Sequence, residues 1–342
     1  MVSEMLNCEE SNLPQQIRVS EGSAIVLGLL QGKLEVAPTT AYLMTYKIGK
    51  CTANCGFCPQ ARNSQSKTDL LSRVCWPIFS TKLVFGAVET AYNNQKFRRI
   101  CIQALNYPDV FTHLVALAKT IKRQVTLPIS VSCQPLNSEN LQRLADAGVD
   151  RISISVDAAT KKLFNKIKGS SAGGPYTWES QFIQLCEALK IFGKEKVSTH
   201  LIVGLGETEN EIISLIQKCV DIGVVPALFA FTPVHGTTLE RKPRPLIETY
   251  RRVQLARYLI VNGWTRFNRM CFNGYGCLTD YGVKKETLMW LVETGMPFLT
   301  SGCLDCNRPF YNEKPSGPIY NYPRKIRIQE IESIKRQLCL TP

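Results

Sequence analysis

Short apolar runs alternate along the chain with longer amphipathic stretches. The runs are "AYLMTY" (41–46), "RRICIQAL" (98–105), "LPISVSC" (127–133), "RISISV" (151–156), "VSTHLIVGL" (197–205), "VPALFAF" (225–231), "TRFNRMCF" (265–272) and "MPFLTSG" (296–302). Their length and apolar character fit buried strands. Between them, stretches such as "VFTHLVALAKTIKR", "SENLQRLADAG", "TWESQFIQLCEALKIFG" and "LIETYRRVQLARYLIVNG" read as amphipathic helices. Several end at Gly, which suits a left-handed C-cap. Thr208 and Glu211 in "TENE" predict a capping box opening the helix after the fifth run. Strand–helix repetition to this count predicts an α/β fold, a (β/α)8 TIM-type barrel, complete or partial. A doubly wound open sheet is the alternative. Residues 1–36 read as an N-terminal extension, 37–302 as the barrel and 303–342 as a closing segment rich in Pro, Tyr and basic residues.

Bulk properties narrow the class. The chain has 342 residues, of which 44% are hydrophobic, enough for a sizeable core. No apolar run approaches the ~18–20 residues that span a bilayer. The N-terminal stretch is polar and lacks a secretory pattern. A cytoplasmic protein without membrane association is expected. Fourteen cysteines in such a setting point to metal binding rather than disulfides. Cys75, Cys186, Cys219 and Cys339 stand alone in apolar or helical contexts and read as small core residues. The net charge of +13 favours an acidic partner. Nucleic acid is not expected, because no nucleic-acid-binding signature accompanies the charge.

The remaining cysteines are placed suggestively. In barrels of this type, chemistry gathers where strands end. "CTANCGFCPQAR" (51–62) follows the first run and offers Cys51, Cys55 and Cys58 at Cys-x3-Cys-x2-Cys spacing. Soft thiolates select iron–sulfur clusters, zinc or copper(I). A structural zinc site would want four ligands; one loop here supplies three. Cys303 and Cys306 form a Cys-x2-Cys pair after the eighth run, half a metal site that needs partners. Cys271 is the first candidate, because Arg269 and Cys271 would share one strand face. Cys277, Cys133 and Cys101 are the alternatives.

The loop of Cys51, Cys55 and Cys58 resembles that of the radical SAM superfamily. The resemblance implies a four-iron cluster on three thiolates. The amino and carboxylate groups of S-adenosylmethionine chelate the fourth iron. It further implies reductive cleavage to a 5′-deoxyadenosyl radical, which abstracts hydrogen from an unactivated carbon. Within that superfamily, "CGFCPQAR", "SISVDAAT", "LIVGLGET" and "VPALFAFTPVHGTTLE" are similar to segments of biotin synthase. On that match Phe57 lies near the adenine, Ser155 and Asp157 near the ribose and methionine moieties, and Ile202 and Val203 along the adenine. Cys101 and Cys133 match two cysteines of biotin synthase's second cluster. The third falls near Ser198, and Arg269 is a loose match for its arginine.

The barrel, with "CLDCNRPFYNEKPSGPIYNYP" at its end, resembles the two-protein (archaeal-type) lipoyl synthase. The conventional lipoyl synthase carries an N-terminal cysteine triplet, whereas residues 1–36 hold only Cys8. This resemblance implies two four-iron clusters, S-adenosylmethionine, and sulfur insertion into an octanoyl or mercaptooctanoyl chain on a carrier-protein lysine. The second cluster would donate the sulfur. Implied partners are the lipoyl-accepting carrier domain, a second radical SAM component, and an electron donor such as ferredoxin or flavodoxin. Arg308, Tyr311 and Tyr320 are candidates for guiding the chain. Rival readings are a biotin-synthase-like or mutase enzyme on a small molecule, a radical SAM enzyme acting on RNA, and an iron–sulfur assembly or sensor protein.

Overall fold

The structure, a computed structural model, describes residues 12–340, so Cys8 lies outside the described residues. One sheet contains β1 (Gln16–Val19), β2 (Thr40–Thr45), β3 (Ile78–Ser80), β4 (Arg99–Gln103), β5 (Ile129–Cys133), β6 (Val149–Ile154), β7 (Val197–Val203) and β8 (Val225–Ala230). Its spatial order is β8-β7-β6-β5-β4-β2-β1-β3. The strands from β8 to β2 run parallel. At the other edge β1 pairs antiparallel with β2 and β3. Part of the expected N-terminal extension is therefore built into the sheet. Helices α1 (Glu21–Val26), α2 (Thr81–Asn93), α3 (Val110–Gln124), α4 (Ser138–Asp146), α5 (Lys161–Ile167), α6 (Trp178–Phe192), α7 (Glu209–Asp221) and α8 (Ile247–Val261) join or follow these strands. The Thr208–Glu211 capping box is formed, and it opens α7.

The barrel is partial, because two predicted strands take other forms. In 265–272, Phe267–Arg269 is a 3-10 turn, and Cys271–Phe272 pairs antiparallel with Leu278–Asp280 in a separate hairpin. Gln217 of α7 accepts from the Phe267 backbone N–H, which holds this segment against a helix instead of the sheet. In 296–302, Gly295 is left-handed at φ 70° and Met296–Phe298 is again a 3-10 turn. Ser301 Oγ then accepts from Leu228 N at 2.8 Å, so the segment borders β8 through a side chain rather than a ladder.

Strand alternation sends one set of side chains into the barrel. In register, Tyr42, Cys101, Ser130 and Arg151 lie side by side across four strands. The next row is Met44, Gln103, Ser132, Ser153 and Ser198. Above it stand Ser155, His200 and Ala227. Small serines leave space where a packed barrel would place Val or Leu. The result is a cavity of about 580 Å³ lined by all these residues. The opposite faces carry the core, with Ile100, Ile102, Ile129, Val131, Ile152 and Ile154 almost fully buried.

The C-terminal segment folds back over the barrel. Arg251, 1% exposed on α8, donates to the carbonyls of Ile319 and Tyr320. Its side chain sits near the rings of Phe298 and Tyr322. The helices α9 (Lys285–Thr294) and α10 (Ile328–Gln337) close the chain.

Candidate active site

The loop carrying Cys51, Cys55 and Cys58 leaves the end of β2 and is held on several sides. Cys51 N donates to Gln60 O, Thr52 N to Asn106 O, and Gly56 N to Ile167 O at 2.9, 2.8 and 2.7 Å. Leu239 N reaches Gly56 O from the segment after β8. Lys50 Nζ donates to the carbonyls of Pro59 and Ser66 at 2.6 Å each. Backbone pinning of this kind fixes three short side chains with little entropy left to lose. All three cysteines line the cavity, as does Phe57. Asn106 N donates to Cys51 Sγ at 3.2 Å. Burial pushes the thiol of Cys55 upward and that of Cys58 to about 12.

Facing this loop is a buried ion pair that sequence reasoning did not find. Lys168 Nζ lies 2.6 Å from Asp157 Oδ2, with side chains 7% and 8% exposed. Lys168 also donates to Ser155 O. Its charge bears on Cys55, lowering the cost of ionising that thiol. Asp157 holds φ 65°, a left-handed conformation that Asp tolerates better than most residues. Signals for Lys168 were weak in the chain, since a lysine eleven residues after an aspartate has no spacing rule. Only the return of α5 toward the strand ends brings the two together.

Ser155 and Ile202 line the cavity as expected. Val203 does not: it is 1% exposed in the core, because adjacent strand residues face opposite ways. Ser155 Oγ lies 2.9 Å from His200 Nδ1. Burial, with the charges of Arg308 and Lys168, pushes the His200 imidazole down to about 3, so it is neutral near pH 7.

A second group of thiols sits deeper in the same cavity. Cys101 neighbours Tyr42 and Ser130 in register on the adjacent strands. Tyr42 Oη lies 3.3 Å from Cys306 Sγ, and Ser130 Oγ 3.8 Å from Cys303 Sγ. Gln103 Nε2 donates to Cys101 Sγ at 3.1 Å. These contacts bring Cys101, Cys303 and Cys306 around one space. Cys271 is absent from it: the residue is exposed on the Cys271–Phe272 hairpin strand, which lies outside the cavity lining. The shared strand face with Arg269 does not exist, because Arg269 ends a 3-10 turn. Cys277 stands in the same hairpin. Cys133 lines the cavity, but its register partner Ile154 faces the core, and its thiol bears on Tyr176 beside Cys55. Arg308 and Tyr311 line the cavity, whereas Tyr320 packs on Tyr250 and donates to Pro245 O. Of the solitary cysteines, Cys219 is buried, Cys75 is partly exposed, and Cys186 and Cys339 are exposed.

Among the described residues no three His, Cys, Asp or Glu side chains converge as a single-ion site would require. Thiolates that each serve a different iron of a cluster need no such convergence. Three soft donors on one pinned loop, above a roomy cavity with an apolar wall at Phe57 and Ile202, fit a cluster and an adjoining nucleoside ligand.

Fold and loop together define a class, and comparison bears this out. Residues 45–219 match the radical SAM superfamily, and the chain belongs to it. Among curated proteins it is 28% identical over 207 residues to biotin synthase of Sulfurihydrogenibium sp., covering 58% of this chain and 57% of that one. It is 24% identical over 262 residues to biotin synthase of Buchnera aphidicola, covering 72% of each. The first of these matches thus spans little more than half of the relative's length. Among solved structures, methylornithine synthase superposes with a TM-score of 0.52 at 13% identity, over 70% of this chain and 66% of that one. A maturase of the FeFe-hydrogenase gives a TM-score of 0.52 at 15% identity, over 88% and 76%. At such identities the two structures establish the shared fold. No helix among the described residues is long and apolar enough to cross a membrane.

Proposed function

We propose that this chain is a sulfur-inserting radical SAM enzyme that builds the lipoyl group on an octanoyl or mercaptooctanoyl chain attached to a carrier-protein lysine. The observation that carries the proposal is the second thiol group, Cys101, Cys303 and Cys306, in the same cavity as the first and deeper in the barrel. A substrate carbon between the two could meet a radical from one side and sulfur from the other. When bound, the first cluster and S-adenosylmethionine supply a 5′-deoxyadenosyl radical.

The chain's own residues prepare that space. Cys51, Cys55 and Cys58 hold the first cluster. Lys168 is ion-paired with Asp157 beside it, and Phe57 and Ile202 offer an apolar face to a base. Neutral His200, held by Ser155, adds no charge to the reaction space. Phe310 and Tyr311 roof the cavity, tied to the Leu70–Leu71/Val74–Cys75 hairpin by Arg73, which donates to the carbonyls of Phe310 and Glu313 at 2.8 Å each. The roof keeps water from a reactive radical. The net charge of +13 suits an acidic carrier domain. A second radical SAM component and a ferredoxin or flavodoxin donor complete the proposed set of partners.

A biotin-synthase-like reaction on a free small molecule is the second reading, supported by the curated relatives. An anaerobic assay with reductant and S-adenosylmethionine separates the two. Octanoyl-lysine peptide, 8-mercaptooctanoyl-lysine peptide and the biotin precursor are offered separately. Sulfur insertion into either peptide supports the proposal; insertion into the biotin precursor alone sinks it.

A further inference from the structure

The second thiol group shows three cysteines among the described residues, as the first does. A four-iron cluster there would have one iron without a thiolate from them. The nearby polar side chains do not supply a ligand. Gln103 points its amide donor at Cys101 Sγ. Ser130 Oγ accepts from Arg99 NH1 at 2.5 Å. Tyr42 Oη accepts from Arg308 N at 2.9 Å, and an ordinary phenol is neutral near pH 7.

What surrounds the space is donors and positive charge. Arg99 reaches in from one side, donating also to Leu304 O. Arg308 stands 3.9 Å above the Phe229 ring with one terminal nitrogen on Ser301 O, and its charge bears on the Cys306 thiol. Its Nε is buried and has no hydrogen-bond partner among the described residues. A buried, charged N–H left unpaired costs free energy. It is an unmet demand for an acceptor, and its charge demands an anion. An anion beside iron and thiolates, with the Arg308 guanidinium at hand, is best met by a soft sulfur anion.

Resting on the proposed second cluster, we infer that this cluster takes its fourth ligand from outside the protein, as a sulfur anion that Arg308 receives. Two sources share this chemistry: inorganic sulfide, and the thiolate of a half-thiolated acyl chain. Binding is a ligand substitution in which a solvent water would leave the open iron. The S–H proton passes to solvent, an Fe–S bond forms, and no electron is transferred.

The test uses the full chain with Cys51, Cys55 and Cys58 all replaced by Ala, reconstituted with ⁵⁷Fe. Iron near zero overturns the two-cluster reading and this inference with it. About four irons per chain supports the second cluster. Mössbauer and EPR spectra of that protein are then recorded alone, with selenide as the sulfide probe, and with 8-mercaptooctanoyl-lysine peptide. One iron is expected to change on addition of a probe, and which probe acts identifies the source. Arg308→Gln should weaken the effective probe about tenfold, the scale of one charge-assisted hydrogen bond. Arg308→Lys, which keeps charge but loses the Nε–H, should fall between. Spectra unmoved by both probes overturn the inference while leaving the second cluster standing. A spectral change on Cys8→Ser alone assigns the fourth place to that residue and overturns it too.

Discussion

Lys168 and Asp157 form an ion pair almost wholly removed from water. Removing one partner strands a buried charge, whereas removing both does not. Lys168→Met should therefore cost about 3–5 kcal/mol in denaturant titration, and Asp157→Asn added to it should recover part of that loss. Equal stability in the two variants would show that the pair is not coupled. Glu313 offers a second test at this scale. It is 2% exposed and accepts from the backbone N–H groups of Asn312 and Asn321. Burial pushes its carboxyl up to about 7 despite those bonds. A carboxyl raised on folding binds its proton more tightly in the native state. Its contribution is whole below its unfolded value of 4.5 and is lost as pH rises through about 7. Glu313→Gln should flatten the fall in thermal stability across that window. A slope identical to the parent's would refute the assignment.

At the scale of elements, the loop of Cys51, Cys55 and Cys58 depends on its neighbours. Gly236 in the segment after β8 accepts from Gln65 N at 2.7 Å and holds φ 81°. A Cβ there would meet Ser66 N at 2.4 Å and Gln65 C at 2.6 Å. Gly236→Ala has no side chain to yield, so backbone must shift. Iron retained after anaerobic reconstitution should drop at the first site, while the helical circular dichroism stays close to the parent's. Full iron in this variant would show that the loop is indifferent to Gly236. The roof makes a parallel prediction. Arg73→Gln removes the charged donor that joins the hairpin to Phe310 and Glu313. Hydrogen exchange in 308–315 should accelerate at least several-fold, with the sheet unchanged.

At the scale of the molecule, if the proposed acidic carrier is the substrate, a net charge of +13 should make its docking sensitive to salt. The KM for octanoylated carrier domain should rise on going from about 0.05 to about 0.3 M salt, while the KM for a short octanoyl-lysine peptide changes little. Equal salt response for both would argue that the surface plays no part in recruitment.

The parallel strands β2 and β4 to β8 and their covering helices were legible as apolar runs and amphipathic periods. The cysteine loop was legible too, because its ligands are local in sequence and the loop follows a strand. These features depend on near neighbours, and near neighbours are what a one-dimensional pattern records. The failures share a cause. "TRFNRMCF" and "MPFLTSG" are apolar enough for strands, but a bond to Gln217 and a left-handed Gly295 sent them elsewhere. Cys271 was tied to Cys303 and Cys306 through that false strand. Cys101 joined them instead, because register sets it beside Tyr42 and Ser130. Ile202 and Val203 could not be told apart until strand direction fixed which one faced inward. The sequence by itself determined the chemistry on offer: soft thiolates, an α/β barrel to hold them and a basic surface. Which thiols share a space, and what charge stands beside them, was decided only by the tertiary structure, because strand register and chain return join residues that no spacing relates.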